Sequence, residues 1–176
     1  DGAIGDVMFT RVYWNGGGGA SVRPKQAGQS ELEYQLRNWY YFNWLSGDHI
    51  VEQHVHNLDV GNWLMRGHPV QCNGMGGRQV RTGVDHGEIY DHHFCEFVYA
   101  GGERMFSQCR HTQSCWNSVS EHVHGTQGSA DVSGGKIYAP GGELVWNSSN
   151  GGGGHQREQD DLIAALRRGE VYQIGR

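Results

Sequence analysis

From residue 70 onward, the chain alternates between short apolar or aromatic runs and glycine-rich turns. Runs of this length between turn signals are typical of β-strands, and the turns at Ala100–Glu103 and Gly125–Ser129 are short enough to form hairpins. The pattern predicts an antiparallel meander. An earlier run rich in β-branched and aromatic residues, Asp6–Trp14, predicts one further strand. The later predicted strands span residues 70–75, 88–99, 104–111, 118–126, 129–133, 136–138 and 143–146.

The composition predicts one globular domain. The chain has 176 residues, of which 36% are hydrophobic, and its 6 Trp, 8 Tyr and 5 Phe provide enough apolar surface for a core. The 29 glycines show no three-residue period and accompany only 3 prolines, which excludes collagen. A net charge of -5 without a basic run argues against nucleic-acid binding, and no apolar stretch is long enough to span a membrane. The 4 cysteines form no CxxC pair and are too few for a disulfide scaffold.

A helix is predicted over Asp48–Arg66, with Ser46 or Asp48 as its N-cap and with Gly67 and Pro69 after its end. At 100° per residue, four polar side chains share one narrow arc and form a polar stripe. We expect the helix to dock on the sheet through a separate apolar face. The stripe consists of His49, Glu52, His56 and Asp59, and the apolar face of Ile50, Val51, Val55, Leu58 and Met65.

The remaining segments are less regular. The composition of Gly16–Gly28 predicts a surface loop, either a plain flexible one or a mobile loop on the substrate side. The apolar cluster Asn38–Leu45 has no clear period, so its structure stays open. Residues 147–156 are predicted as a low-complexity loop, and Asp160–Arg168 as a short helix with acids at its start and bases at its end.

Glu52 and His56 are suited to acid/base chemistry. An imidazole titrates near neutral pH, and a carboxylate four residues earlier on the same helix face can fix its tautomer or raise its pKa. The alternative is a solvated ion pair that contributes only tenths of a kcal/mol to stability. The spacing alone does not decide between these interpretations.

The 11 histidines also raise the possibility of a metal site. His122 and His124 share one face of a predicted strand and could bind one ion, whereas His54 and His56 lie on different sides of a helix. A third group is Asp-His-His at 91–93. Because no HExxH or paired-Cys motif is present, we assign no metal ligand and keep a polar sheet face as the alternative.

The order of residues in segment 47–69 carries a family resemblance. A glycine-rich turn leads into a helix with Glu52, then His56 four residues later, Asp59 three after that, Trp63, and a stop at Gly67–Pro69. This order resembles the signature of the Gfo/Idh/MocA family, which includes glucose-fructose oxidoreductase and inositol dehydrogenase. Residues 4–6, 125–129 and 160–168 also resemble that family, so the resemblance covers nearly the whole chain.

The resemblance implies an α+β fold for residues 1–176. We expect a broad, mostly antiparallel open β-sheet with helices packed on one face, like the C-terminal domain of dihydrodipicolinate reductase, serving substrate binding and oligomerisation. Family members bind NAD or NADP mainly through an N-terminal Rossmann domain. Neither Gly16–Gly19 nor Gly74–Gly77 completes a GxGxxG fingerprint, and neither Lys25 nor Lys136 lies in the family's Glu-Lys-Pro motif. We therefore expect the C-terminal part of a longer two-domain oxidoreductase, with the Rossmann domain absent from this chain.

The resemblance also implies roles for particular residues. His56 matches the family histidine that contacts the substrate hydroxyl and passes its proton, and Glu52 stands where many members have Asp. Asp59 is a substrate-site or helix-anchoring candidate. The weaker substrate-binding candidates, each with packing or surface exposure as the alternative, are Arg37, Trp39, Tyr40, His49 and His92.

The main hypothesis is a substrate-binding domain of an NAD(P)-dependent oxidoreductase acting on a sugar, polyol or glycoside, inactive as the isolated chain. Its partners would be a sugar-like small molecule, its own N-terminal Rossmann domain, and a second copy bound through the β-sheet face, with no nucleic acid and no membrane span. The alternatives are a stand-alone carbohydrate-binding or oligomerisation module, NAD-dependent glycoside cleavage by oxidation and elimination, and a metal-binding β protein. The resemblance is to a subgroup that often carries export signals, which favours an exported parent over a cytoplasmic one.

Overall fold

The computed structural model describes residues 2–148 and 154–170. Within this part, eight strands form a single open sheet in the order β2-β3-β4-β1-β5-β6-β7-β8 when they are numbered along the chain. The predicted α+β class, with a broad and mostly antiparallel sheet, is confirmed. The strands are β1 Val7–Gly16, β2 Gln71–Gly77, β3 His92–Val98, β4 Arg104–His111, β5 Ser118–Gly125, β6 Gly128–Asp131, β7 Lys136–Tyr138 and β8 Leu144–Asn147.

The first strand lies in the middle of this sheet. β1 pairs in parallel with β4, with Phe9 opposite Arg104, and antiparallel with β5, with Phe9 opposite His124. All other neighbours in the sheet are antiparallel. Every strand predicted from the sequence is present, but the predicted meander is interrupted because β1 separates β4 from β5.

The helices are short except for two. In α1, Ser30 and Glu33 form a capping box in which each side chain bonds the other residue's backbone N–H. The helices are α1 Glu31–Arg37, α2 Asn43–Ser46, α3 Asp48–Glu52, α4 Val55–Met65 and α5 Gly154–Arg168, with 3-10 turns at Trp39–Tyr41 and Val84–His86. None of the helices in the described ranges is long and apolar enough to cross a bilayer.

The prediction of one continuous helix over 48–66 was wrong. The chain forms α3, leaves the helix at Gln53 and His54, and resumes as α4. The side chain of His54 is fully buried and bonds Asn57 and Ser107, which holds the chain at the break. The break divides the predicted polar stripe, since His49 is buried whereas His56 and Asp59 are exposed.

Helix α4 packs on β1 and β5 through a face that the sequence did not predict. Its buried residues are Asn57 and Gly61, and Gly61 lies so close to β4 that a Cβ there would clash with the Sδ of Met105. Leu58 and Met65 contribute to the core as expected. Val51 and Val55, however, are exposed, so that part of the predicted docking face was wrong. The core beneath α4 contains Val12, Tyr99 and Met105, with Leu58, Met65 and Phe97 around them.

A second core forms around the aromatic segment whose structure the sequence left open. Tyr40, Tyr41 and Phe42 are buried with Tyr34 and Ile89. Because this cluster covers the carboxyl end of β4, it encloses the polar side chains described below.

The end of the chain differs from its prediction. Helix α5 begins at Gly154, ahead of the predicted Asp160, so residues 154–156 of the predicted loop are helical. Residues 149–153 of that predicted loop lie outside the described residues.

Candidate functional site

The two predicted catalytic residues lie near the break between α3 and α4. His56 is exposed on α4, and its ring centroid is 6.0 Å from that of Trp14. Glu52 is half-buried, and its Oε2 atom is buried without a hydrogen-bond partner. No hydrogen bond or ion pair joins these two side chains anywhere in the described structure. Asp59 is exposed one turn beyond His56 and borders a surface cavity with Trp63.

His49 does not join these residues, because it is buried in a polar cluster around His111. The ring centroids of His49 and His111 are 4.6 Å apart, and Tyr40 also stacks on His111, with 6.3 Å between centroids. His111 donates from Nε2 to Oε1 of Gln53 over 2.7 Å and accepts at Nδ1 from the guanidinium of Arg81. These two bonds fix His111 as the neutral Nε2–H tautomer. Burial and the charge of Arg81 lower the pKa of His111 to about 3.

Arg81 is the buried cation of this cluster. Only 5% of its surface is exposed, and its guanidinium carbon lies 5.9 Å from the ring centroid of Tyr40 and 5.4 Å from that of Tyr41. Such stacking stabilises a desolvated guanidinium. The glycine-rich segment after β1 covers it, since a Cβ at Gly19 would be 2.6 Å from Arg81 Nη2 and 2.9 Å from Tyr40 Cε1.

Two buried carboxylates hold the segments around this cluster. Asp91 accepts from the backbone N–H groups of residues 79, 80 and 81 over 2.7–2.9 Å and from His92 over 2.8 Å. Asp48 accepts from the backbone N–H groups of His49 and Tyr90. Burial alone would raise the pKa of each carboxyl, but nearby donors outweigh it. The hydrogen bonds from residues 79–81 and His92 lower the pKa of Asp91 to about 2. The imidazoles of His49 and His93, together with the N–H of Tyr90, hold the pKa of Asp48 well below its usual range.

A second buried polar network joins α4 to the sheet. His54 bonds Ser107 through Nε2 over 2.8 Å and Asn57 through Nδ1 over 3.1 Å, and the amide of Asn57 donates to Glu121. The hydroxyl of Ser133 donates to the other oxygen of Glu121. Burial lowers the pKa of His54 to about 4, so this imidazole stays neutral at neutral pH.

The two buried neutral histidines predict acid lability. Between pH 6.5 and 4 the unfolded chain binds protons at His54 and His111 that the folded chain does not, so the free energy of unfolding falls as the pH falls. From pH 7 to pH 5 we expect a loss of roughly 2 kcal/mol per histidine. Urea unfolding at the two pH values measures this loss.

Variants test whether a buried histidine causes this pH dependence of stability. His111→Gln should make the free energy of unfolding less dependent on pH, whatever its effect at pH 7. The matched variant His155→Gln, at an exposed position of α5, should leave the dependence unchanged. Equal stability of the wild-type chain at pH 5 and pH 7 would contradict this assignment.

The other predicted substrate-binding residues are more scattered. Arg37 and Trp39 are exposed, and Arg37 bonds Gln26 over 3.1 Å. Tyr40 lies in the polar cluster, with its hydroxyl buried and unpaired. His92 is half-exposed and bonds Asp91. Sequence reasoning missed Arg81 and His111 as site residues, and it named Asp48 only as a possible N-cap and Asp91 only within the Asp-His-His group at 91–93.

The histidines of β5 have other partners. His122 and His124 share a sheet face, as predicted, but His122 bonds Ser120 and His124 accepts from Arg11 and stacks on Phe9. Within the described ranges, the only group of three or more His, Cys, Asp or Glu side chains close enough to hold an ion lies elsewhere, at Asp48, His49 and His93.

The sequence matches the family model described as "GFO/IDH/MocA C-terminal domain" over residues 1–131. The chain belongs to the GFO/IDH/MocA family. This match confirms the resemblance noted in the sequence around Glu52 and His56. No curated protein sequence matches the chain.

Solved structures support the GFO/IDH/MocA fold. The aldose-aldose oxidoreductase from Caulobacter crescentus matches with a TM-score of 0.70 and 16% identity over 99% of this chain and 49% of that protein. A levoglucosan dehydrogenase matches with a TM-score of 0.66 and 17% identity over 99% of this chain and 53% of that protein. A putative myo-inositol dehydrogenase from Sinorhizobium meliloti matches with a TM-score of 0.65 and 16% identity over 99% of this chain and 50% of that protein. The chain therefore spans about half the length of the solved structures that it matches.

Proposed function

We propose that this chain is the substrate-binding part of an NAD(P)-dependent oxidoreductase that acts on a sugar, polyol or glycoside. The observation that carries the proposal is the family match over residues 1–131, together with a fold shared with an aldose oxidoreductase, a levoglucosan dehydrogenase and a putative myo-inositol dehydrogenase. The broad open sheet would carry the domain, and the helical layer above it would face the substrate.

His56 is the proposed proton-transfer residue. Its ring is exposed on α4 and lies beside Trp14, so a substrate hydroxyl can approach it from solvent while an indole borders the site. An imidazole in such a position can accept the hydroxyl proton as hydride leaves the same carbon. Glu52, whose Oε2 is unpaired, would bind a second hydroxyl or orient His56 in the presence of substrate. Asp59, His49, Tyr40, Arg37, Trp39 and His92 remain proposed substrate-site residues.

Within residues 2–148 and 154–170, neither glycine run leads directly into a helix. Gly16–Gly19 is followed by an irregular segment up to the start of α1 at Glu31, and Gly74–Gly77 is the final part of β2. A phosphate-binding glycine turn requires a helix N-terminus directly after it. We therefore place the NAD or NADP site in a separate Rossmann domain, whose nicotinamide would accept the hydride.

The experiment that tests this function begins with the reading frame upstream of Asp1. A strand-turn-helix glycine fingerprint in roughly 120 or more preceding residues would identify the Rossmann domain. The complete protein should then reduce NAD or NADP with aldoses, myo-inositol or levoglucosan, and the isolated chain should not. Turnover by the isolated chain, or no nicotinamide-dependent activity on any of these substrates in the complete protein, would contradict the proposal.

The free face of the sheet is the proposed self-association surface. Opposite α4, neighbouring strands present Phe9, Phe94, Phe106 and Met75 together with arginines and histidines. Met75 is 74% exposed and Phe94 37% exposed, and an apolar centre with a polar surround is typical of subunit interfaces.

Phe94→Glu is expected to convert an oligomer to a monomer, because it places a charge at the centre of this face. Light scattering coupled to size exclusion measures the mass. Val84→Glu is the matched control, since Val84 is 87% exposed and lies outside the sheet. A wild-type monomer, or a Phe94→Glu variant that keeps the oligomeric mass, would exclude this surface as the interface.

A further inference from the structure

Three side chains meet where α3 begins beside β3. The ligand atoms of Asp48, His49 and His93 all lie within 4.8 Å of one another. Oδ1 of Asp48 is 3.1 Å from Nδ1 of His49 and 3.4 Å from Nε2 of His93. Two imidazole nitrogens thus flank one carboxylate oxygen.

The two separations from Asp48 Oδ1 fit a tetrahedral ion. Zinc binds nitrogen and carboxylate oxygen at about 2.0–2.1 Å, and two ligands at the tetrahedral angle are then separated by about 3.3–3.4 Å. The two distances from Asp48 Oδ1 are close to this value. The carbonyl oxygen of Tyr90 is 3.0 Å from Nδ1 of His49 and is a candidate for the fourth position.

The backbone fixes the carboxylate before any ion arrives. Asp48 has a positive φ of 70°, which L residues rarely adopt, and its two oxygens accept from the backbone N–H groups of His49 over 2.6 Å and Tyr90 over 2.8 Å. Such outer hydrogen bonds orient a metal-binding carboxylate and leave a lone pair free on each oxygen.

Each of the two imidazoles has a ring nitrogen without a hydrogen-bond partner. The side chain of His49 is 0% exposed and its Nε2 has no hydrogen-bond partner, and Nε2 of His93 is also buried without one. With its proton on Nδ1, His49 donates to the carbonyl of Tyr90. With the proton on Nε2 instead, the lone pair of Nδ1 faces the oxygens of Asp48 and Tyr90. A cation placed between these three acceptors would stabilise the arrangement.

We propose that Asp48, His49 and His93 bind a divalent cation of the zinc type. The donor set of two imidazoles and one carboxylate matches zinc, with Tyr90 or water completing the coordination. Of these three residues, only His49 is also a proposed substrate-site residue, and the proposal does not depend on the proposed oxidoreductase activity.

The test uses the chain with zinc and cobalt(II) as probes. Equilibrium dialysis against zinc after removal of bound metal should give one ion per chain, and cobalt(II) should give the intense visible absorption of a tetrahedral site. His93→Phe should weaken zinc binding at least 100-fold. The same substitution at His122, a half-buried strand histidine outside the cluster, should leave binding unchanged.

Folding of the variants is checked by circular dichroism, and His49→Gln provides a second removal of one ligand if His93→Phe fails to fold. Zinc should also raise the melting temperature of the wild-type chain but not of His49→Gln, because ligands stabilise only the state that binds them. The proposal is overturned if the wild-type chain binds no zinc at micromolar concentrations, or if His122→Phe removes binding and the cluster variants do not.

Discussion

Replacing His56 by alanine in the proposed complete oxidoreductase is expected to lower kcat by about 10²–10⁴-fold, the usual contribution of a general acid or base. The substrate hydroxyl would lose its proton acceptor, while the exposed side chain contributes little to packing. The free energy of unfolding should therefore change by no more than about 0.5 kcal/mol. Steady-state kinetics and urea unfolding of the same preparation measure both quantities.

The distribution of this effect between kcat and KM is informative. A residue that acts mainly in the transition state lowers kcat and kcat/KM together, whereas one that only binds substrate raises KM. His155→Ala, at an exposed position of α5, is the matched control and should behave as wild type. An unchanged kcat in a folded His56→Ala enzyme would remove His56 from the mechanism and leave the family membership untouched.

Asn57→Leu is expected to destabilise the fold by about 3–5 kcal/mol. Asn57 is 1% exposed and is the only described link between His54 and Glu121. Leucine would leave the Nδ1–H of His54 without an acceptor and remove one of the donors to a carboxylate that is 8% exposed. Urea unfolding at pH 7 measures the loss.

Two comparisons make this result specific. Asn73→Leu, on the exposed face of β2, should change stability by no more than about 0.5 kcal/mol. The double variant Asn57→Leu/Glu121→Leu should lose less stability than the sum of the two single variants. Asn57→Leu leaves the Glu121 carboxylate without its amide donor, and Glu121→Leu then removes that carboxylate. A loss below about 1 kcal/mol for Asn57→Leu would show that the network is not needed for stability.

The strands were predictable because the apolar pattern and the turn residues that define each strand lie within a short stretch of sequence. The runs Arg104–His111 and Lys136–Tyr138 have the same limits in the sequence pattern and in the structure. Turn residues such as Gly102, with φ at 94°, mark the hairpins in any context. The place of β1 was not predictable, because a parallel neighbour far along the chain leaves no signal in a local window.

The break between α3 and α4 shows why the helical layer was harder to predict. Periodicity alone places His49 and His56 on one face, yet His54 is pulled into the sheet by Ser107 and the helix divides there. Tertiary hydrogen bonds to a buried imidazole thus overrode the helical pattern. The same bonds explain why polar His54 and Asn57 are buried while Val55 is exposed.

The candidate site was predictable only in part. His56 and Glu52 lie in one contiguous signature, so a single segment was enough to propose them, and their catalytic role stays a prediction. The cluster around His111 is assembled from Tyr40, His49 and Arg81 on three separate segments. These residues are close only because particular strand ends meet in the fold. The spacing of residues along the sequence does not predict which strand ends meet.

The central position of β1 also constrains how the domain folds. Its residues pair with strands that lie about a hundred positions later in the chain, since Phe9 pairs with both Arg104 and His124. Contacts this distant raise the contact order and slow folding. During synthesis, Val7–Gly16 is made before the other strands of this sheet and cannot enter the sheet until β4 and β5 have left the ribosome. Until then its apolar edge is open to other chains, so β1 is the segment through which a nascent domain would aggregate or bind a chaperone.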